Sequence, residues 1–107
     1  MNIINPSQSS DELFQAVALW GRDKGLNDPV MQFAKVNEEI GELAHELVRG
    51  RIGSSEMEDA FGDILVTLII LADILNYDLL SCLAEAYNTI KDRKGKTVNG
   101  SFIKENE

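Results

Sequence analysis

Apolar residues recur along this chain at steps of three and four, and the residues that interrupt them are those that start and stop helices. Ser9 followed by Glu12 forms a capping box, after which Leu13, Val17 and Trp20 mark a first helix that weakens at Gly21 and Gly25. Asp28-Pro29 sets the next start: Asp28 can accept from the free N–H groups of a first turn, and Pro29 has no N–H to leave unsatisfied there. Phe33, Val36, Ile40, Leu43 and Leu47 then make the apolar seam of a second helix ending near Arg49-Gly50. Residues 50–54 read as a short connection, and Ser55 with Glu58 forms a capping box that opens a third helix.

In that third helix Ile64, Leu65, Val66, Leu68, Ile69, Ile70, Leu71, Ile74 and Leu75 cover nearly the whole circumference, which predicts the central, most buried element. Its β-branched content would also suit a strand, but the length and the lack of alternation favour helix. Asn76 to Asp78 predicts a turn, and Leu79, Leu83, Ala86, Tyr87 and Ile90 predict a fourth helix closing at Lys94-Gly95. The polar tail from about residue 96 has three readings: a loose arm, a hairpin around Asn99-Gly100, or a strap over a partner subunit. No repeat or linker divides residues 1–107, so the pattern predicts one all-α domain, an antiparallel bundle of four helices.

Length supports a single core, since a chain of 107 residues buries about two-thirds of its unfolded surface and has no room for a second. Charge narrows the function. With 18 acidic and 10 basic side chains and a net charge of −8, binding to nucleic acid is disfavoured and a cation-dependent role is favoured. Cys82, alone and among apolar residues, reads as a reduced, buried small hydrophobe of a cytoplasmic protein. The opening Met1 to Ser10 has neither a basic segment nor an apolar run, and Ile64 to Ala72 is far shorter than the roughly 20 residues a bilayer needs. Export and membrane insertion are not expected.

The acidic residues are not scattered. At 100° per residue, Glu39, Glu42 and Glu46 fall in a stripe about 60° wide beside the apolar seam of the second helix, with Glu38 next to it. A solvated face, helped by Lys35 four residues before Glu39, is the plain explanation, but like charges at this spacing repel unless something positive neutralises them. In the third helix Glu56 and Glu58 are explained by the dipole of the first turn. Asp63 is not, because it lies two turns in, where the helix becomes apolar all round, and Asp59 is on the same face one turn earlier. Oxygen donors converging from two antiparallel helices suit Mg²⁺ or Mn²⁺ rather than zinc. Glu42-x-x-His45 matches one element of di-iron bundles, but no second copy exists in the chain and His45 falls on the flank away from Glu39, so an exposed or capping histidine is expected. Trp20 reads as core or as a stacking surface for a base. Lys91, Arg93, Lys94 and Lys96 form the one dense basic patch, explained by the helix dipole or by phosphate contact.

Glu38-Glu39-Ile40-Gly41-Glu42-Leu43, followed some twenty residues on by Ala60-Phe61-Gly62-Asp63-Ile64-Leu65, resembles the paired motif of the MazG-like, all-α nucleotide pyrophosphohydrolases. The resemblance runs from about Trp20 to Arg93 and implies a four- to five-helix fold, usually dimeric or tetrameric. It also implies Mg²⁺-dependent cleavage of nucleoside triphosphates into monophosphate and pyrophosphate. Carried over by motif, Glu39, Glu42 and Asp63 are metal ligands and Glu38 is an accessory carboxylate or base. The family's second motif reads Glu-x-x-Asp, and Ala60 stands in the Glu position here; Asp59 is the expected substitute ligand, with Glu56 more distant. Lys35, Lys91 and Arg93 would hold the outer phosphates and Trp20 would flank the base. Ala60 also motivates a second reading, a catalytically weak nucleotide- or metal-binding regulator on the same scaffold. The all-round apolarity of the third helix implies association, as a homodimer or homotetramer.

Overall fold

Four helices followed by a two-stranded hairpin make up the described residues, 9–105, of the computed structural model: α1 (Ser10–Asp23), α2 (Pro29–Val48), α3 (Ser55–Ile74), α4 (Leu79–Ile90), β1 (Gly95–Val98) and β2 (Ser101–Lys104). What was read of residues 1–8 and of the last two residues lies outside them. The expected helix starts are formed by side-chain oxygens. Ser9 Oγ accepts from the Glu12 N–H at 3.1 Å, and Asp28 Oδ1 accepts from Val30 and Met31 with Pro29 in the first turn. The third helix begins one residue earlier than expected, because Ser54 rather than Ser55 is its cap and accepts from the Met57 N–H. Gly53, at φ +86°, turns the chain so that Ser54 is the last extended residue. Asp78 caps α4 in the same way as Asp28 caps α2.

α3 is the central helix, supplying Met57, Ala60, Thr67, Ile69, Ile70 and Ala72 to the core, while α1 adds Ala18 and Gly21. Its main partner is α2, and the two are pinned where the buried Gln32 side chain donates to the Thr67 carbonyl at 3.1 Å. The rotation of α2 about its own axis differs from the expected one. Val36 is buried and Leu43 half-buried, but Phe33, Ile40 and Leu47 are exposed, and Gln32 and Glu46 take the inner positions. Among the described residues α2 leans on essentially one neighbour, α3, so part of its wide apolar face is left exposed.

α4 leaves the end of α3 at a bend of 102° and contributes no buried residue. Cys82, on this helix, is therefore exposed and not the buried hydrophobe its neighbours in sequence suggested. α4 also stops at Ile90, short of Lys94, because the chain from Gly95 is committed to the hairpin, with Glu105 donating to the Lys94 carbonyl. Of the three readings of the tail, the hairpin is the one found. Asn99 and Gly100 both have positive φ, +50° and +81°, the two-residue loop whose twist matches the strands, and Val98 faces Ser101. Among the described residues no single helix is long and apolar enough to cross a membrane.

α1 is held to α3 by a two-pronged ion pair: Arg22 Nε lies 2.8 Å from Asp73 Oδ2 and Arg22 Nη2 lies 2.6 Å from Oδ1. Hydrogen bonding to the guanidinium, more than its charge, holds the Asp73 carboxyl below its ordinary value of 3.8. A folded pKa below the unfolded one gives stability that is present above 3.8 and is lost as pH falls through the depressed value. Asp73→Asn should therefore lower the melting temperature at neutral pH, with the gap to the parent closing between about pH 5 and about pH 2. A gap that stays constant over that range in thermal melts would detach the pair from acid stability.

Candidate functional site

The inward turn of α2 that leaves Phe33 and Ile40 outside brings its acidic stripe against α3. Glu38, Glu39, Glu42 and Glu46 from α2 and Glu56, Asp59, Ala60 and Asp63 from α3 line one cavity of about 360 Å³. Beside it lies a larger cleft of about 530 Å³, walled by Trp20, Leu26, Met31, Val66 and Ile70 and edged by Gln32, Lys35 and Thr67. That volume is within the roughly 300–1,000 Å³ of small-molecule sites. Glu39 and Asp63 line both spaces, so the acidic cavity and the apolar cleft meet at these two carboxylates.

The carboxylates differ in their surroundings. Glu38, Glu42, Asp59 and Asp63 are exposed to the open cavity. Asp63 is thus not enclosed by apolar neighbours, as its sequence context suggested, because the α3 face carrying it opens onto the cavity. Glu39 has only 13% of its side chain exposed, and Lys35 is its countercharge at 3.7 Å while bonding Glu38 at 3.3 Å. The hydrogen bond to Glu38, then its charge, and more weakly Glu39, raise the Lys35 pKa against the opposing effect of burial, so the ammonium stays charged. Glu46 was expected at the solvated end of the stripe but is buried: Arg51 approaches one carboxylate oxygen at 3.4 Å, and the other, Oε2, is enclosed with no hydrogen-bond partner among the described residues.

An orphaned buried anionic oxygen in a cavity lined by oxygen donors fits a hard divalent cation, Mg²⁺ or Mn²⁺. Among the described residues no three His, Cys, Asp or Glu side chains already meet at one ion position. Among the described residues Lys35 and Arg51 are the basic groups paired with these carboxylates, and the like charges otherwise repel one another.

The remaining expected residues divide. Trp20 is half-exposed on the wall of the cleft rather than in the core, with the Lys24 ammonium 5.9 Å from its ring centroid. Lys35 lies on the same cleft. Lys91, at the end of α4, and Arg93, in the turn after it, line neither space. His45 is exposed in the last turn of α2 and lines neither. Sequence reasoning passed over Gln32, Thr67 and Met31 as parts of the site, and undervalued Glu46, although its position one turn after Glu42 was the available signal.

No protein-family model matches the sequence, and no curated protein matches it. A solved structure does: the crystal structure of the Bacillus-conserved MazG protein, a nucleotide pyrophosphohydrolase, superposes with a TM-score of 0.71 over 84% of this chain and 97% of that one, at 25% identity. In fold the chain is MazG-like. Its all-α architecture is similar to that MazG structure, and its two acidic segments, Glu38 to Leu43 and Ala60 to Leu65, lie on α2 and α3. The departure from the motif is structural as well as sequential, for Ala60 is buried on the wall of the acidic cavity with no polar group to offer.

Proposed function

We propose that the chain is a Mg²⁺-dependent nucleoside triphosphate pyrophosphohydrolase that converts (d)NTP to (d)NMP and pyrophosphate, with Mn²⁺ able to replace Mg²⁺. The observation that carries the reading is the sharing of Glu39 and Asp63 between the acidic cavity and the apolar cleft. It gives a cation–phosphate end and a base end at adjoining positions, and the likeness to a nucleotide pyrophosphohydrolase agrees with it.

Glu39, Glu42 and Asp63 would hold the cation, with Asp59 at the same wall of the cavity. When bound, the cation neutralises phosphate charge and makes the α-phosphorus more open to attack. Glu38, exposed and oriented by Lys35, accepts the proton of the attacking water. The new bond joins that water's oxygen to the α-phosphorus, the α–β bridging bond breaks, and pyrophosphate leaves with the electron pair. Lys35 offers its charge to the outer phosphates from the cleft edge. In this reading Lys91 and Arg93, which line neither space, would contact phosphate from another subunit of a homodimer or homotetramer assembled through the exposed faces of α2 and α4.

The test is pyrophosphate release in Mg²⁺ from a panel of common and damaged nucleoside triphosphates. Release from at least one supports the reading, and background from all sinks it. The buried Ala60 favours one rival, a binding protein without turnover, which calorimetry would reveal as Mg²⁺-dependent nucleotide binding with no product. Trp20→Ala should raise KM about tenfold with a smaller change in kcat, the size expected of one lost base–aromatic stack. Steady-state kinetics check this, and an unchanged KM would remove Trp20 from the base site.

A further inference from the structure

Ala60, buried on the cavity wall, offers no ligand, and the structure holds beside it a carboxylate with an oxygen to spare. Glu46 is 7% exposed, lines the acidic cavity together with Ala60, and its Oε2 has no hydrogen-bond partner among the described residues. We propose that Glu46 supplies the carboxylate that Ala60 lacks, so that Glu39, Glu42, Glu46 and Asp63 form the divalent-cation ligand set. This rests on the cation-dependent reading of the site given above.

Three observations carry it. The first is direction. Side chains on a helix lean toward its N-terminus, so Glu46 covers the turn of α2 that bears Glu42, inside the cavity rather than beyond its end. Glu39, Glu42 and Glu46 share one stripe about 60° wide, which lets one ion or a pair of ions be gripped from the same face. The second is the state of the carboxylate itself. Among the described residues its carboxylate has one polar partner, Arg51, which stands off at 3.4 Å, long for a charge-assisted hydrogen bond, and is itself 40% exposed on the connecting loop. An anion buried on these terms is destabilising, and a leucine of similar size in its place would not be. A cation in the cavity removes the penalty. The third is the contrast with Asp59, the substitute expected from the motif. Asp59 is exposed and can be solvated without any metal, so nothing about its placement calls for an ion.

The test is Mn²⁺ binding by the metal alone, followed by calorimetry and electron spin resonance, on the parent chain, Glu46→Gln, Asp59→Asn, Asp63→Asn, Ala60→Glu/Glu46→Gln and the metal-free melt of each. Glu46→Gln should weaken Mn²⁺ binding about tenfold or more, since affinity follows the charge of the ligand set. Its metal-free melting temperature should equal or exceed that of the parent, whereas a purely structural Glu46 paired to Arg51 would melt lower on substitution. Restoring a carboxylate at the empty corner, in Ala60→Glu/Glu46→Gln, should recover most of the lost affinity. Binding in Glu46→Gln within about twofold of the parent, or a larger loss in Asp59→Asn than in Glu46→Gln, would overturn the assignment. If the parent binds Mn²⁺ and Asp63→Asn does not, the cation site stands even when the Glu46 assignment falls. If the parent takes up no Mn²⁺, both fall together.

Discussion

Asp63→Asn should cut Mg²⁺-dependent pyrophosphate release by about a thousandfold or more while leaving the metal-free fold intact. Asp63 stands where the acidic cavity meets the apolar cleft, and in the proposed reading the ion it would hold lies next to the phosphates of a nucleotide whose base would lie toward Trp20. The Asn keeps the shape and removes the charge. The fold does not depend on that charge, because the Asp63 side chain is exposed and the structure ties Asp63 to its surroundings through its backbone carbonyl, which accepts from Thr67. Removing one of several neighbouring negative charges should therefore leave the metal-free melting temperature unchanged or slightly raised. Steady-state pyrophosphate assays beside thermal melts separate the two effects. Activity within about tenfold of the parent would displace Asp63 from the metal site.

Gly21→Leu should destabilise the fold by about 3 kcal/mol, a large part of what a small domain possesses. α1 reaches α3 through Gly21: a Cβ there would lie 3.0 Å from Ile70 Cγ1, 3.1 Å from Cγ2 and 3.3 Å from Cδ1. Ile70 is 3% exposed and has little space into which to retreat. Gly21→Ala is the control. Its helix propensity gains about 1 kcal/mol over glycine, which offsets the crowding, so it should stay within about 1 kcal/mol of the parent. Leucine cannot be accommodated in this way and must push α1 away from α3. Because Trp20 is the adjacent residue and Ile70 lines the cleft, the same displacement should weaken nucleotide binding. Chemical denaturation measures the first effect and KM the second, and a Leu variant as stable as the parent would show that the α1–α3 contact is looser than the structure has it.

Helix starts were legible because they are local chemistry: Ser9, Asp28-Pro29 and the Asn99-Gly100 turn act through neighbours a few residues away. The fold of α3 as the central helix was equally plain from its composition. The rotation of α2 was not, since its seam and its acidic stripe adjoin and only packing against α3, including the Gln32–Thr67 bond, selects which of them turns inward. Glu46 was undervalued for the same reason. That Glu39, Glu42 and Asp63 would line one cavity was legible because their spacing on two helices survives any modest rotation, although Asp63 owes its place to an open cavity and not to burial among apolar residues. Cys82 misled because apolar neighbours in sequence imply burial only when the helix is packed, and α4 turns away at 102°. Lys91 and Arg93 follow α4 away from the cleft.

Product analysis in ¹⁸O-labelled water, with the purified chain, Mg²⁺ and the nucleoside triphosphate panel, tests the central claim most directly. Attack at the α-phosphorus places the label in the nucleoside monophosphate and releases unlabelled pyrophosphate, and chelation of the metal stops both. Label in orthophosphate, or no Mg²⁺-dependent product from any nucleotide, would contradict the account.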